Sequence, residues 1–195
     1  MDIILGSASK KRRIILDEAG IHVDTVLIAD LDEKAIRDPD HARLVMNLAR
    51  AKRDALLPRI TQPAFLITAD TVLYEGVNLL EKPTSIEEEY RFFDSYDGKK
   101  ICGFVTGITV TNTATGETRE GTEDGEFIMG PFTKEFIDAW VAVGEYMQYA
   151  GGFTYMDPRF AKSYVPIRGG EDNLMGMPVA LVKRFLTELG WVSAQ

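Results

Sequence analysis

Residues 3–13 read IILGSASKKRR, which is an apolar run, a loop of small residues and then four consecutive cations. The apolar run predicts a buried strand, and the cations open a helix predicted over residues 10–19. Small residues let a ligand approach the backbone, and a helix N-terminus presents unpaired N–H groups to an anion. Ser7 and Ser9 add hydroxyl donors, while an arginine fork matches two phosphate oxygens. The stretch is equally typical of a phosphate-binding turn and of a capped turn beside a solvated basic surface.

Strands and helices alternate irregularly along the rest of the chain. A cap at Asp38-Pro39 predicts a long helix to about residue 57, and Ser85 with Glu88 predicts a capping box that opens a helix to about residue 98. Further strands are predicted at 23–29, 65–69, 101–112 and 117–129, with a hairpin over 71–80 and helices at 133–143 and 178–189. In the absence of repeats and linkers, this order favours a single α/β domain over residues 1–195 with a mixed sheet.

Composition restricts the class of partner. The 195 residues carry a formal net charge of −8, which repels nucleic-acid polymers and anionic membranes but leaves a small anionic substrate open. Cys102 is the one cysteine and His22 and His41 are the only histidines, so neither an internal disulfide nor a Cys/His metal cluster is expected. The N-terminal apolar run is too short for a signal peptide, and no stretch reaches the roughly 20 apolar residues of a membrane span. The sequence predicts a cytoplasmic protein.

Two side chains of opposite charge stand in apolar surroundings. Lys52 falls in the middle of the apolar stripe of its predicted helix, where a lysine either snorkels to the edge, the commoner outcome, or meets an anion. Asp70 ends the apolar run at residues 65–69, and α/β sheets bind ligands at the carboxyl ends of their strands. A carboxylate there can hold a divalent cation, orient water or merely cap the next turn.

The order of these motifs along the chain resembles one family. The motifs are GSASKKRR at 6–13, Asp32-Glu33, LARAK at 48–52, ADTV at 69–72 and Glu81-Lys82-Pro83. They continue through Asp97-Gly98, Thr106-Gly107, AGGF at 150–153 and Gly176-Met177-Pro178. Over almost its whole length the chain resembles the Maf (septum formation inhibitor-like) nucleotide pyrophosphatases.

This resemblance implies a fold shared with the inosine triphosphate pyrophosphatases, a mixed twisted sheet in two lobes around a central cleft. It also implies hydrolysis of nucleoside triphosphates to a monophosphate and pyrophosphate with a divalent cation, Mg²⁺ or Mn²⁺, and often a homodimer. Carried over residue by residue, the resemblance assigns phosphate binding to Ser7, Ser9, Arg12, Arg13, Lys52 and Lys82. It makes Asp70 the general base or metal-positioning carboxylate, with Glu33 as the second metal ligand and Lys82 as a third catalytic residue.

Departures from the family pattern bear on the choice of substrate. Lys11 and Thr71 occupy positions that differ between the dTTP/UTP branch and the 7-methyl-GTP branch, and Thr71 agrees with the first. Met156 stands where the family usually has a glutamine or glutamate, and a thioether is only a weak hydrogen-bond acceptor. The run GGEDN at 169–173 is similar to the longer loop of the methylated-guanosine branch. The mixed pattern favours dTTP and UTP, with modified nucleotides as the alternative.

Two other functions compete with the enzyme. A nucleotide-binding regulator of cell division would keep the pocket without needing turnover, and the presence of Asp70, Lys52 and Lys82 argues against it. An acyl-ester or tRNA-processing hydrolase is disfavoured by the acidic net charge and by the lack of a spaced nucleophile–base pair.

Overall fold

The structure, a computed structural model, describes residues 1–192, and the chain in it divides into two compact units. The first unit comprises Met1–Thr71, Val105–Glu123 and the chain from Gly170, and the second comprises Val72–Phe104 and Asp124–Gly169. Each unit is therefore built from separate segments of the sequence. The single domain expected over residues 1–195 stays a prediction.

Seven strands form a mixed sheet with helices beside it, which confirms the predicted α/β class. The strands are β1 (Asp2–Gly6), β2 (Thr25–Val26), β3 (Ala64–Glu75), β4 (Asn78–Leu79), β5 (Cys102–Asn112), β6 (Thr118–Met129) and β7 (Tyr164–Arg168). The α-helices are α1 (Lys10–Glu18), α2 (His41–Leu56), α3 (Ile86–Phe93), α4 (Lys134–Val143), α5 (Pro158–Ala161), α6 (Glu171–Leu174) and α7 (Val179–Glu188). The strand order is β2-β1-β3-β5-β6-β7, with β4 beside β3. β1 runs parallel to β2 and β3, whereas β3–β4 and β6–β7 are antiparallel pairs.

In the first unit, both faces of the sheet are buried, because β1 and β3 carry apolar residues at consecutive positions. Ile3 and Leu5 of β1 lie in one buried cluster with residues of α1 and α7, while Ile4 lies in another with Leu66 and with Leu56 of α2. Successive side chains of a strand point to opposite faces, so apolar residues at consecutive positions are buried on both sides. β1 and β3 are therefore covered by helices on each face, in register from Asp2↔Ala64 to Gly6↔Thr68.

In the second unit, the core is largely aromatic. Phe160 makes an edge-on contact with Trp140 at 4.9 Å between ring centroids, and Phe132 stacks on Phe136 at 4.6 Å. Edge-to-face and offset geometries suit the ring quadrupoles and add to the burial of apolar area. These contacts join α4 and α5 to the chain around Phe132.

Several element boundaries differ from the predicted ones. The long helix begins at His41 with Asp40 as its cap, because the Asp40 carboxylate accepts the Arg43 N–H, whereas Asp38 accepts the N–H of Asp40 just before the helix. The predicted strand at 23–29 forms only at β2, and the α3 helix ends at Phe93. Three short elements, α5, β7 and α6, were not predicted because runs of four or five residues carry too few periods to be recognised.

The prediction that Asp70 ends a strand is wrong. β3 continues without interruption through Asp70 to Glu75, so the predicted strand and the first arm of the predicted hairpin are one element of 12 residues. The sequence suggested a break because a charged residue interrupts an apolar run. Asp70 nevertheless lies two residues beyond Thr68, where the parallel pairing with β1 ends.

Within the described residues, no helix is both long enough and apolar enough to cross a bilayer.

Candidate active site

The alternation along β3 sends polar side chains to both faces of the sheet. Thr68 points toward α2, where its hydroxyl donates to the carbonyl of Ala49 at 2.7 Å. Asp70, two residues on, faces the same helix and meets Lys52. Thr71 points the other way and meets Arg12 of α1. β3 therefore contacts a basic side chain on each face of the sheet, Lys52 of α2 on one and Arg12 of α1 on the other.

Lys52 lies between two carboxylates. Its Nζ is 2.5 Å from Asp70 Oδ1 and 3.2 Å from Glu33 Oε1, and Glu33 is carried by a 3-10 helix at Glu33–Ala35. Lys52 is 9% exposed and Asp70 is 8% exposed, so the pair is largely withdrawn from solvent, whereas the Glu33 side chain is half-exposed. Of the two predicted environments for Lys52, the structure shows the one in which it meets an anion.

Arg12 is oriented by three protein acceptors. Its Nη1 donates to Ser7 Oγ at 3.2 Å and to the carbonyl of Ala69 at 2.8 Å, and its Nη2 donates to Thr71 Oγ1 at 2.9 Å. A guanidinium has five N–H donors, so these contacts fix its orientation while two donors remain for a ligand. Arg12 thus has the geometry of a preoriented anion-binding group.

The hydrogen bonds behind Arg12 form a directional chain. Thr106 Oγ1 donates to the carbonyl of Asn173 at 3.2 Å and lies 2.9 Å from Thr71 Oγ1. Since Thr106 uses its proton on Asn173, Thr71 donates to Thr106 and accepts from Arg12. Gly176 packs on the same group, because a Cβ there would lie 2.7 Å from Thr71 Oγ1 and 3.0 Å from Arg12 Nε. Sequence reasoning missed these supporting roles of Thr106 and Asn173, although Thr106 and Gly176 stand in two of the motifs shared with the family.

The loop before α1 is a capped turn built from its two serines. Ser9 is the N-cap of the helix, and its hydroxyl accepts the N–H of Arg12 at 3.5 Å. Ser7 is buried, and its hydroxyl accepts the N–H of Ser9 at 3.2 Å. Of the two alternatives in the sequence, the structure shows the capped turn, in which Ser7 also supports the Arg12 side chain. Phosphate binding by this turn stays a prediction.

Arg12 interacts electrostatically with the two carboxylates that lie beside Lys52. Burial lowers the pKa of the Arg12 guanidinium, and the negative charges of Asp70 and Glu33 oppose that shift. Burial also lowers the pKa of Lys11. Arg12 and Lys52 carry two positive charges against the two carboxylates, so the cluster is balanced in formal charge.

Arg13 and the two predicted residues of the second unit lie in different surroundings. Arg13 is turned toward its own helix and the following loop, where it lies 3.6 Å from Asp17 and donates to the Val23 carbonyl at 3.4 Å. In the second unit, Lys82 is exposed after β4, and Met156 is 59% exposed with its N–H bonded to Thr154 Oγ1 at 3.3 Å. The phosphate-binding roles of Arg13 and Lys82 and the specificity role of Met156 stay predictions.

The carboxylates at Lys52 fit a divalent cation that is shared with a substrate. Asp70 and Glu33 both reach one ammonium group, so their oxygens converge on one point. Among the described residues, no group of three or more His, Cys, Asp or Glu side chains is placed to hold a metal ion. Mg²⁺ is commonly bound by one or two carboxylates together with substrate phosphates and waters, so two protein ligands match that mode.

Comparison with known proteins gives a match over nearly the whole chain. The model of the family described as Maf-like protein matches residues 2–189. A 7-methyl-GTP pyrophosphatase of Dictyostelium discoideum is 30% identical over 96% of both chains. A dTTP/UTP pyrophosphatase of Dehalococcoides mccartyi is 31% identical over 97% of this chain and 83% of the relative. Among solved structures, a nucleoside-triphosphatase or dITP/XTP pyrophosphatase of Mycobacterium abscessus aligns over 98% of both chains with 12% identity and a TM-score of 0.41.

Proposed function

The chain belongs to the Maf-like protein family, and from that membership and the geometry of the site we propose that it hydrolyses nucleoside triphosphates to a nucleoside monophosphate and pyrophosphate. The observation that carries the proposal is the buried contact of Lys52 with Asp70, next to an Arg12 held by Thr71 and Ala69. Two oriented cations and two carboxylates are the groups that cleavage of a phosphoric anhydride requires. Relatives that share about a third of its residues are named as pyrophosphatases of this kind.

The reaction adds water across the anhydride between the α- and β-phosphates. The water oxygen bonds to phosphorus, the bond to the bridging oxygen breaks, and the pyrophosphate leaves with that oxygen. We assign Asp70 as the general base that accepts the proton of the water, and Arg12 and Lys52 as the cations that neutralise phosphate oxygens as charge moves onto the leaving group. Asp70 and Glu33 would hold the divalent cation, which when bound neutralises further charge on the phosphates. We assign Ser7 and Ser9 to the turn that supports Arg12, and Lys82 to phosphate binding.

Two of the predicted specificity residues, Thr71 and Met156, bear on the base preference. Thr71 uses its hydroxyl on Arg12 and Thr106, so an effect of Thr71 on the choice of substrate would act through Arg12 and not by reading the base. Met156 is exposed and offers only a thioether. We propose that the enzyme prefers dTTP and UTP with modest selectivity, of the order of ~10–200-fold as an apolar contact gives.

The test is a screen of nucleoside triphosphates with pyrophosphate detection, in Mg²⁺, in Mn²⁺ and with chelator. We expect turnover with either metal, its loss with chelator, and the highest specificity constants for dTTP and UTP. Binding of nucleotides without release of pyrophosphate would overturn the proposal in favour of a nucleotide-binding regulator.

A further inference from the structure

Glu89 is a buried carboxyl group that the proposed chemistry does not use. It lies on α3 in the second unit with no exposed surface, and its Oε2 has no hydrogen-bond partner among the described residues. Burial of an ionised carboxylate without a cation is strongly unfavourable, so such a group keeps its proton. Burial accordingly raises the pKa of Glu89 to about 8, against a smaller opposing effect of the Trp140 hydrogen bond.

The Glu89 carboxyl group packs directly against a glycine turn. Gly152 has a φ of +73°, and a Cβ there would lie only 1.8 Å from Glu89 Oε2. The Trp140 indole N–H is shared between the two, at 2.7 Å from the Gly152 carbonyl and 3.1 Å from Glu89 Oε1. On the other side of the turn, the Tyr96 hydroxyl donates to the Gly151 carbonyl at 2.8 Å. Glu89, Trp140 and Tyr96 thus enclose the turn at Ala150–Gly152.

The turn at Ala150–Gly152 also holds the backbone next to Lys82. The N–H of Gly151 lies 2.9 Å from the carbonyl of Leu80 and 3.0 Å from that of Glu81, so one donor binds the two residues that precede Lys82. On the far side of Lys82, the Glu88 carboxylate accepts the N–H of Thr84 at 2.8 Å at the start of the helix that carries Glu89. The side chain of Lys82 is exposed, so its direction depends on how firmly this backbone is held.

We propose that Glu89 is a positioning residue: in its neutral form it holds the Ala150–Gly152 turn, and through that turn it fixes the backbone from which Lys82 reaches the substrate. This inference rests on the proposed function, in which Lys82 binds a phosphate. Glu89 touches neither substrate nor metal in this account and acts only through Trp140 and the glycine turn.

Ionisation of Glu89 weakens the hold on the Ala150–Gly152 turn, because Glu89 and Gly152 share the Trp140 N–H. A carboxylate draws a shared N–H more strongly than a neutral carbonyl, because charge-assisted hydrogen bonds are about twice as strong as neutral ones. The Trp140 N–H then moves toward Glu89 and away from Gly152. The groups around this pocket do not counter the new charge: Tyr96 and Cys102 have pKa values raised by burial, and Arg159, which lies over the Trp140 ring, is paired with Asp157.

The test compares the KM for dTTP and UTP across the range from about pH 7 to about pH 9.5 in three proteins. We expect the wild-type KM to rise roughly fivefold above pH 8, the equivalent of one ordinary hydrogen bond, with a smaller change in kcat. Glu89→Gln keeps the shape and the acceptor for Trp140 but cannot ionise, so its KM should stay flat. Glu87→Gln removes an exposed carboxylate from the same helix and should follow the wild type.

A second measurement does not depend on turnover. Amide hydrogen exchange in peptides that cover residues 80–83 and 149–153 should accelerate above pH 8 in the wild type and in Glu87→Gln, relative to Glu89→Gln, after correction for the intrinsic rate. Equal exchange and equal KM profiles in the wild type and Glu89→Gln would overturn the inference. If the wild type released no pyrophosphate from any nucleotide, the proposed function would fail, while the exchange experiment would still decide the role of Glu89 in the turn.

Discussion

Lys52 shows how the position of a single residue can mark a candidate functional site. It stands in the middle of an apolar helix face, and its ammonium group lies between Asp70 and Glu33 with 9% of the residue exposed. The sequence predicts that such a lysine needs an anion or a route to solvent, but it does not say which. Lys52 meets an anion because β3 brings Asp70 to the face of the sheet that α2 covers. The contact of Lys52 with Asp70 is long-range, so no local sequence pattern predicts it.

Asp70→Asn should lower kcat by ~10²–10⁴, the typical contribution of a catalytic base. The asparagine keeps the shape, and Lys52 retains Glu33 at 3.2 Å, so the loss of unfolding free energy should be smaller than the ~3–5 kcal/mol of a fully orphaned buried charge. Asp54→Asn, an exposed change on α2, is the matched control and should leave kcat unchanged. Near-native turnover in a folded Asp70→Asn protein would show that another group takes the proton.

Met156→Gln should sharpen the preference for dTTP and UTP at little cost to the best rate. An amide can donate to and accept from a base edge, whereas the thioether of this 59% exposed side chain offers only a weak acceptor. The measurement is the ratio of specificity constants for UTP, dTTP, CTP and GTP, with Met147→Gln, at another exposed methionine of the same unit, as the control. A wild type that already selects one base by more than about a thousandfold, well above the apolar range, would place base recognition elsewhere.

At the scale of elements, most helices and strands could be predicted where the hydrophobic pattern repeats several times without interruption. α1, α2, β5, β6 and α7 lie close to their predicted positions because each carries several repeats of its pattern. The uninterrupted β3 was not predicted, since Asp70 interrupts an apolar run and its contact with Lys52, which compensates for the buried charge, is a long-range one. The clearest failure of local reasoning in this unit therefore falls on a candidate catalytic residue, as expected where function and foldability conflict.

The hydroxyl pair between β3 and β5 gives a prediction for these elements. Thr106→Val should leave the Thr71 hydroxyl proton without its acceptor and remove the Thr106 donor from the Asn173 backbone carbonyl, so Arg12 loses part of its support and KM should rise roughly fivefold. The control is Thr111→Val on the same strand, which breaks an equivalent 2.9 Å pair with Thr118. Both variants should lose a similar ~1–3 kcal/mol of unfolding free energy. An equal rise of KM in both would mean that the effect is general destabilisation and not support of Arg12.

At the scale of the whole molecule, Glu89 gives stability an unusual dependence on pH. Its folded pKa of about 8 lies above its ordinary value of 4.5, so the native state binds a proton that the unfolded state releases. The contribution is fully present below about pH 4.5 and is lost as the pH rises to about 8, by an amount on the order of a few kcal/mol. Denaturant titrations of the wild type and Glu89→Gln should therefore differ most in slope between those values, with Glu87→Gln following the wild type. Parallel pH profiles for the wild type and Glu89→Gln would contradict this assignment.

The division of the chain into two units was outside the reach of sequence patterns. Val72 begins the second unit in the middle of β3, and Asp124 returns to it in the middle of β6, so the boundaries cross regular strands and not linkers. No proline-rich or glycine-rich linker in the sequence therefore marks these boundaries. The family motifs bring Arg12, Lys52 and Asp70 to the same strand of the first unit, and their roles with a substrate stay predictions.

The most direct test of the whole account is the identity of the products, read by phosphorus NMR after complete turnover of dTTP with Mg²⁺. The proposed function predicts dTMP and pyrophosphate in equal amounts, from cleavage between the α- and β-phosphates, and at most about a hundredth as much of either product with Asp70→Asn over the same time. Formation of dTDP and orthophosphate would contradict it, because cleavage would then lie at the γ-phosphate and the arrangement of Arg12, Lys52 and Asp70 would have been assigned to the wrong bond.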